Sequence, residues 1–445
     1  MSVFKRAILC ALLVFIVGGT SFNAEAAGQR IVVKLNTASP IGPVLNLLNA
    51  TVLDVISDSN LYLLQVSQLP SLGTLTLNLL GIEYIEVDTT LSGPTLRTLG
   101  LVQSKSAADW YRLQPALTRI RAVQASKYYD GFGVVVADIN SAVDYGHPAL
   151  QGHLTGGYDF VTAQGSTYAA LNQSSGSFMD QSSGSFLDQS SGSFLDQSSG
   201  SFLDQASGSF LDQASGSFLD QSSGSFLDGA PLLNIVTASN PAYGHGTLCG
   251  GLIAAVAPRA MIMPLRVFDD NGQADIFTIT KAIRYAVKNQ VNVLNMSFGI
   301  STNSRSVREA VAAAIAANIV VTGSAGNANT STPQYPASYS SVLSVAATDM
   351  NDEKGSFSNY GSSVSVSAPG VNIISAYPGG YYAVVSGTSF AAPIVAGEAA
   401  LVRSKQVTGI TDAMVRGTVN IDAQNPQYVG KLGEGRIDVV SGIGK

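Results

Sequence analysis

Between residues 261 and 348 apolar strands and helices succeed one another: MIMPLRVF (261–268), TKAIRYAVKNQ (280–290), VNVLNMSFG (291–299), SVREAVAAAIAAN (306–318), IVVTGSAGN (319–327) and VLSVAAT (342–348). The strand-like runs are apolar almost throughout, as strands buried on both faces must be. The runs between them carry apolar residues at helical spacing. The pattern predicts an α/β domain whose parallel sheet is covered by helices on both faces. In such a sheet the site lies beyond the carboxyl ends of the strands, which places NMSFG and GSAGN on its rim.

Three further segments carry chemistry. SGTSFAAPIVAGEAAL (386–401) sets Ser389 at the mouth of an alanine-rich helix, where backbone N–H groups and the positive dipole end favour developing negative charge. GHGTLCGGLIAAVAP (244–258) sets His245 between two glycines at the start of a small-residue helix. VVVADINSAVDYGHPAL (134–150) is a strand followed by His147-Pro148. In this order and with these flanks the segments resemble the subtilisin-like serine peptidases (subtilases), along which the chain from Trp110 onward can be laid. The resemblance implies a peptidase domain over 110–445, a polypeptide substrate, and hydrolysis through an acyl-enzyme on Ser389 with His245 as general base. It implies Asn327 as side-chain oxyanion donor. It also implies that Ser297, Phe298 and Gly299, with Ser324, Ala325 and Gly326, pair with the substrate as β-strands. GKLGEGRIDVVSGIGK (430–445) resembles the usual end of such a domain, so no C-terminal module is expected.

The third triad position departs from the family. There a strand ends in Asp-Ser/Thr-Gly, and His-Pro follows seven residues after the Asp. Counting back from His147 lands on Asn140, and the glycine is replaced by Ala142. An amide is neutral and can donate as well as accept, so it can hold the wrong histidine tautomer and does not balance an imidazolium. In a chymotrypsin-like enzyme the same substitution lowers kcat about 10⁴-fold, while about 10³ to 10⁴ over water survives from the oxyanion hole and binding alone. Asp138, two residues earlier on the same strand face, would lie roughly 7 Å back, out of reach of the histidine unless a bulge shifts the register. Deamidation of Asn140, which precedes Ser141, is a second route to a carboxylate. His147 and His153 read as structural or surface residues. Cys249 is open to three readings: a thiol nucleophile, a metal ligand or a buried packing residue, the last favoured because no second soft ligand is near.

Charged residues make up 12% of the 445-residue chain, which suits a secreted protein better than a nucleic-acid binder. Of the 30 acids, seven Asp lie in one repeat tract, leaving 23 against 24 bases, so global charge steering is weak. Lys5 and Arg6, an apolar run over 7–18 and Ala24-Glu25-Ala26 form a signal peptide pattern over 1–26, with secretion or periplasmic export expected. The run is short for a membrane span, so no stable anchor is expected. Cys10 falls in that leader, leaving Cys249 alone in the mature chain and no intramolecular disulfide.

Residues 30–91 read as βαββαβ, a small ferredoxin-like unit. Its place before the subtilase-like domain resembles a propeptide that assists folding and caps the active site as an intramolecular inhibitor. The alternative is an ordinary N-terminal domain that stays attached. The propeptide-like region is taken as 27–91, and 92–109, without periodicity, as the linker and processing region.

Residues 173–228 are seven copies of QSSGSFLD or close variants. An eight-residue period rotates the Phe-Leu pair by roughly 80° per copy in a helix, which excludes one apolar stripe. Extended structure keeps all Phe on one side, so stacked strands and a flexible Ser/Gly-rich insertion both stand, with self-association through the array conceivable. Its regular Asp invites a calcium hypothesis, but it is not the glycine-rich nonapeptide of calcium β-rolls, and no cofactor or metal site is identified. Three functional readings follow: a secreted serine endopeptidase impaired by Asn140, a pseudopeptidase that binds peptides or a partner without turnover, and a repeat-mediated surface assembly protein.

Overall fold

The structure is a computed structural model that describes residues 28–71, 73–94, 99–102, 107–166, 242–269, 271–405 and 409–445. The leader pattern (1–26) and the octapeptide tract (173–228) lie outside these residues. The chain divides into two compact units, one ending at Val87 and one beginning at Asp88.

The first unit follows β1 (Gln29–Leu35), α1 (Gly42–Leu48), β2 (Thr51–Ile56), β3 (Leu61–Val66), α2 (Thr74–Leu79) and β4 (Ile82–Val87). Its antiparallel sheet has the order β2-β3-β1-β4. Alternate residues of β1, Ile31, Val33 and Leu35, pack with Val44, Leu64, Val66 and Ile82 in its core, as the period of two in a strand dictates.

The second unit begins with β5 (Thr90–Ser92), β6 (Leu99–Val102) and helices α3 (Ala107–Leu113), α4 (Pro115–Arg119) and α5 (Ala122–Ala125). The main sheet is built from β7 (Val135–Asn140), β8 (Gly157–Asp159), β9 (Gln164–Ser166), β10 (Met261–Arg266), β12 (Val293–Met296), β13 (Val320–Ser324), β14 (Leu343–Thr348) and β15 (Val366–Pro369). Between them run α6 (His245–Val256), β11 (Gln273–Asp275), α7 (Ile276–Lys288) and α8 (Arg305–Ala316). After them come β16 (Ile373–Tyr377), β17 (Tyr381–Val385), α9 (Thr388–Ser404), α10 (Ile410–Arg416) and α11 (Val439–Gly442). The sheet order is β15-β14-β13-β12-β7-β10-β8-β9, parallel except at the β8–β9 edge.

Alternation along β7 sorts the two faces. Val136 joins the cluster containing Leu248 and Leu252 of α6 and Val395 and Ala399 of α9. Ala137 and Ile139 join the cluster containing Ile279 and Ile283 of α7 and Val307 and Val311 of α8. The even-numbered residues of β7, Asp138 and Asn140 among them, therefore face the α6/α9 layer. The parallel sheet with helices on both faces is the architecture the apolar runs predict.

The region expected as linker and processing segment, 92–109, contains short elements that the sequence does not show. β5 pairs antiparallel with β11, β6 pairs antiparallel with β17, and α3 begins at Ala107. Three- and four-residue strands have no periodicity of their own to read, and their pairing is set by edges more than a hundred residues away.

Candidate active site

Three chain segments converge where β7 ends and α6 and α9 begin. Two buried glycines set the geometry at His245. Gly244 has φ +77°, and a β-carbon there would lie 2.7 Å from the Tyr377 ring. A β-carbon on Gly246 would meet the Ser141 carbonyl oxygen at 2.5 Å. Ser141 ties the strand to the helix, because its hydroxyl donates to Ala242 O (2.7 Å) and accepts from Gly246 N (3.0 Å). Ala142 lies outside the left-handed region, so the replacement of the family glycine there carries no backbone strain.

His245 Nδ1 lies 2.8 Å from Asn140 Oδ1. The same oxygen accepts from Ser141 N (2.9 Å), while Asn140 Nδ2 donates to Asp138 Oδ2 (3.2 Å). Rotating the amide by 180° would turn its NH₂ on the Ser141 N–H and its oxygen on the Asp138 carboxylate, so the network permits one orientation. With Oδ1 facing it, His245 carries its proton on Nδ1, and Nε2 is the basic nitrogen. That nitrogen is buried and has no hydrogen-bond partner, so the bond to Ser389 is not made in this state. Such bonds commonly tighten only when substrate is bound. Burial holds the imidazole pKa down at about 3.

Asp138 does not reach His245 through a bulge. The register of β7 with β10 and β12 runs unbroken, and the carboxylate meets Asn140 instead. Its other oxygen accepts from Asn295 Nδ2 (2.7 Å), and Asn295 Oδ1 in turn accepts from Thr322 Oγ1 (2.9 Å). Asp138, Asn295 and Thr322 form an aligned buried row across β7, β12 and β13. Burial is the main cause that pushes the Asp138 carboxyl up to about 7, and the bonds from Asn295 and Asn140 oppose it.

Ser389 is the second residue of α9 and is buried. Pro393 lies four residues further on in the helix and has no N–H to offer the Ser389 carbonyl. Cys249 fills that role, with Sγ 3.4 Å from Ser389 O and 3.6 Å from His245 Nδ1. Burial pushes its thiol pKa well up, which opposes thiolate chemistry and agrees with a packing role. His147 is structural as expected: it is buried, with Nε2 2.7 Å from Tyr381 O and Nδ1 accepting from Ala149 N.

Asn327 Oδ1 accepts from both the backbone N–H and the hydroxyl of Thr388, each at 2.9 Å. This turns Nδ2 toward the start of α9, where a β-carbon on Gly387 would lie 3.6 Å from it. Thr388 and Asn295 are contributors the sequence reading missed. Thr388 had a signal, as the neighbour of Ser389 in SGTS, whereas Asn295 had only its place in NMSFG.

Ser297, Phe298 and Gly299 continue β12 beyond its last paired residue, Met296. Ser324, Ala325 and Gly326 do not fit the expected strand pairing with substrate. Ala325 N donates to Val345 O and Ala325 O accepts from Asn359 Nδ2. Gly326 N donates to Thr388 Oγ1 and Gly326 O accepts from Asn359 N. With the backbone polar groups of Ala325 and Gly326 already committed, this segment is a wall of the space that Gln334 enters. Gln334 Oε1 sits between the two segments, 2.5 Å from where a β-carbon on Gly299 would be and 2.2 Å from one on Gly326.

Comparison with known proteins bears on this geometry. The model of the subtilase family matches residues 131–444. The thermostable alkaline protease of Halalkalibacterium halodurans is 40% identical over 206 residues, covering 43% of this chain and 56% of that protein. Thermitase of Thermoactinomyces vulgaris is 43% identical over 172 residues, covering 36% and 62%. Subtilisin DY of Bacillus licheniformis is 36% identical over 224 residues, covering 47% and 81%. The first two are thus matched over little more than half of their length. Among solved structures, fervidolysin from Fervidobacterium pennivorans, a keratinolytic enzyme related to subtilisin, aligns with a TM-score of 0.64 at 21% identity, covering 94% of this chain and 61% of that one. That likeness speaks for the fold.

Proposed function

The chain belongs to the subtilase family, and from that premise we propose that it is a secreted serine endopeptidase whose triad runs Ser389–His245–Asn140. The observation that carries the reading is the 2.8 Å contact between His245 Nδ1 and an Asn140 amide locked with its oxygen toward the ring. The wrong-tautomer penalty of an Asp-to-Asn change is thereby avoided. The remaining deficit is the missing negative charge opposite the imidazolium.

In the reaction, Ser389 Oγ attacks the scissile carbonyl carbon as its proton passes to His245 Nε2. The carbonyl oxygen becomes an oxyanion at the start of α9, within reach of Asn327 Nδ2 and the backbone N–H groups there. The C–N bond then breaks, the imidazolium gives its proton to the departing amine, and an ester on Ser389 remains. Water repeats the sequence on that ester and releases the acid. Ser297, Phe298 and Gly299 carry the substrate backbone, and Gln334 closes the space between them and the 324–326 wall.

Residues 1–26 serve as the export signal and the unit ending at Val87 as a propeptide. Supporting the latter, the chain directly after that unit already lies on the edge beside the substrate segment. Thr90–Ser92 pairs with Gln273–Asp275, and Leu91 packs in the cluster that holds Phe268, Ala274 and Phe298. Asp88 Oδ1 accepts from Phe277 N at the first turn of α7 (2.9 Å), as a capping carboxylate would. No helix among the described residues is long and apolar enough to cross a membrane.

The test is the intact mass and N-terminal sequence of the exported protein beside its Ser389→Ala and Asn140→Asp forms. Loss of the N-terminal unit from the natural chain but not from Ser389→Ala is the expected result. Maturation of Asn140→Asp alone would favour the second reading, a peptide-binding pseudopeptidase, which the neutral Asn140 supports.

A further inference from the structure

A buried carboxylate without a cation is costly, because burial alone removes the hydration of the charge. Asp138 is such a group. It is 1% exposed, and no ion pair among the described residues involves it. Its two oxygens are held by two neutral amides, Asn295 on one side and Asn140 on the other. Asn295 is itself anchored by Thr322 and donates in addition to Ser297 Oγ (2.9 Å). A stretch of strand needs none of this for folding, since an apolar residue at 138 would extend the cluster that begins at Val136. The row leads to His245 by way of Asn140, and to Ser297 by way of Asn295.

We propose that Asp138 is a positioning residue for the peptidase reaction: it fixes the Asn140 amide with its oxygen on His245 Nδ1–H, and it supplies from one side chain further back the negative charge that Asn140 lacks. The inference rests on the peptidase reading above and deepens it. Polarity runs one way along the chain. The carboxylate accepts from Nδ2, which enriches the amide oxygen in negative charge, and that oxygen accepts from the imidazole N–H. When His245 takes the Ser389 proton, the counter-charge is already in place, behind the amide, and no atom between Asp138 and the ring has to change its proton. The triad is thus a tetrad in which the acid and the orienting oxygen reside on different residues.

The arrangement dictates an unusual response to mutation. With Asn140 in place, Asp138→Asn removes the charge and frees the amide to turn, so kcat falls 10- to 100-fold with KM within about threefold. With Asp at 140, two carboxylates would face each other at the distance now spanned by the Nδ2–Oδ2 bond and share one proton. Asp138→Asn in that background removes the repulsion and raises kcat. The double variant Asp138→Asn/Asn140→Asp, which exchanges acid and amide, is therefore expected to be the fastest of the four, at least tenfold above the natural protein. A role confined to stability would make Asp138→Asn costly in both backgrounds.

A pH profile adds a second readout. Asp138 is bonded by Asn140 from its own strand and Asn295 from β12, the Cys249 thiol of α6 feels its charge, and His245 of α6 lies beyond Asn140. Burial pushes the His245 imidazole down to about 3 and the Cys249 thiol well up, so Asp138, pushed up to about 7 by burial, is the group whose charge changes between them. Its charge is present above about 7 and lost below it. The natural protein should therefore lose kcat as pH falls through 7, and Asp138→Asn should be low and flat over that range.

The experiment is this four-member cycle on the full exported chain, measuring kcat, KM and the pH profile with a fluorogenic peptide, circular dichroism to confirm folding, and ¹⁵N-histidine NMR for the His245 tautomer. Sign reversal of the Asp138→Asn effect between backgrounds, with the Nδ1–H tautomer lost in Asp138→Asn alone, is expected. Equal kcat for Asp138→Asn and the natural protein, or an unchanged tautomer, overturns the proposal even where the peptidase reading holds. Failure of the peptidase reading looks different: turnover would be absent, or unaffected by Ser389→Ala, in all four backgrounds.

Discussion

Asn327 is the residue at which oxyanion stabilisation can be separated from proton transfer, because it touches neither His245 nor Asn140 in the network described. Replacing it by Ala is expected to lower kcat by about 10² to 10³ with little change in KM. Thr388→Val removes one of the two bonds that aim the amide and should cost less, on the order of tenfold, because the backbone N–H still holds Oδ1. Gln334 fills the space between Gly299 and Gly326 and is therefore expected to limit the size of the side chain accepted there. Gln334→Gly opens the space between Gly299 and Gly326, and a peptide library should show a shift toward larger side chains before the scissile bond. Ser389, His245 and Asn327 were legible in the sequence because each sits in a short local motif whose flanks have their own geometry, such as the glycines about His245. The Asp138–Asn295–Thr322 row was not. It depends on the register of three strands drawn from distant parts of the chain, and a sequence shows only that Asp138 and Asn140 share a face. Cys249 was legible as a packing residue but its partner was not, since that is a carbonyl 140 residues away that Pro393 leaves without an N–H.

The two helices that carry His245 and Ser389 pack closely, and that contact sets the distance between base and nucleophile. A β-carbon on Gly397 of α9 would lie 2.6 Å from the Val256 β-carbon of α6. Gly397→Ala should therefore cost about 1 to 3 kcal/mol of stability, seen as a lower denaturation midpoint, and should reduce kcat as the helices move apart. Further along α9, Glu398 is fully buried with neither carboxyl oxygen hydrogen-bonded. Burial, with Asp438 as a lesser cause, pushes its pKa from 4.5 to about 8. Its folded form thus binds a proton that the unfolded form has released, so its contribution is full below about 4.5 and is lost as pH rises through about 8. Glu398→Gln is expected to stabilise the protein by about 2 to 4 kcal/mol at pH 9 and to make no difference near pH 4, read from chemical denaturation at each pH. The strands and helices of residues 261–348 were legible as elements because buried parallel strands are continuously apolar. β5 and β6 were not, since their partners rather than their own residues make them strands.

At the scale of the whole molecule, Thr90–Ser92 pairs with Gln273–Asp275 and Leu91 packs with Phe268 and Phe298, and on the proposed propeptide reading release of this strand should govern when activity appears. Leu91→Asp places a charge in the apolar cluster with Phe268 and Phe298, which weakens that hold. Expressed protein carrying it is expected to show a shorter lag before peptide hydrolysis begins than the natural chain. The octapeptide tract lies outside the described residues, between β9 and α6 in sequence. Deleting 173–228 is expected to preserve hydrolysis while abolishing any concentration-dependent association, which sedimentation would reveal. A subtilase with Asn140 between Asp138 and His245 is expected to remain a catalyst. The most direct test is the initial rate of fluorogenic peptide hydrolysis by the exported natural protein against Ser389→Ala prepared alongside it. A rate clearly above that of Ser389→Ala, first order in protein, is expected. Equal rates would mean that the fold binds peptides without cleaving them.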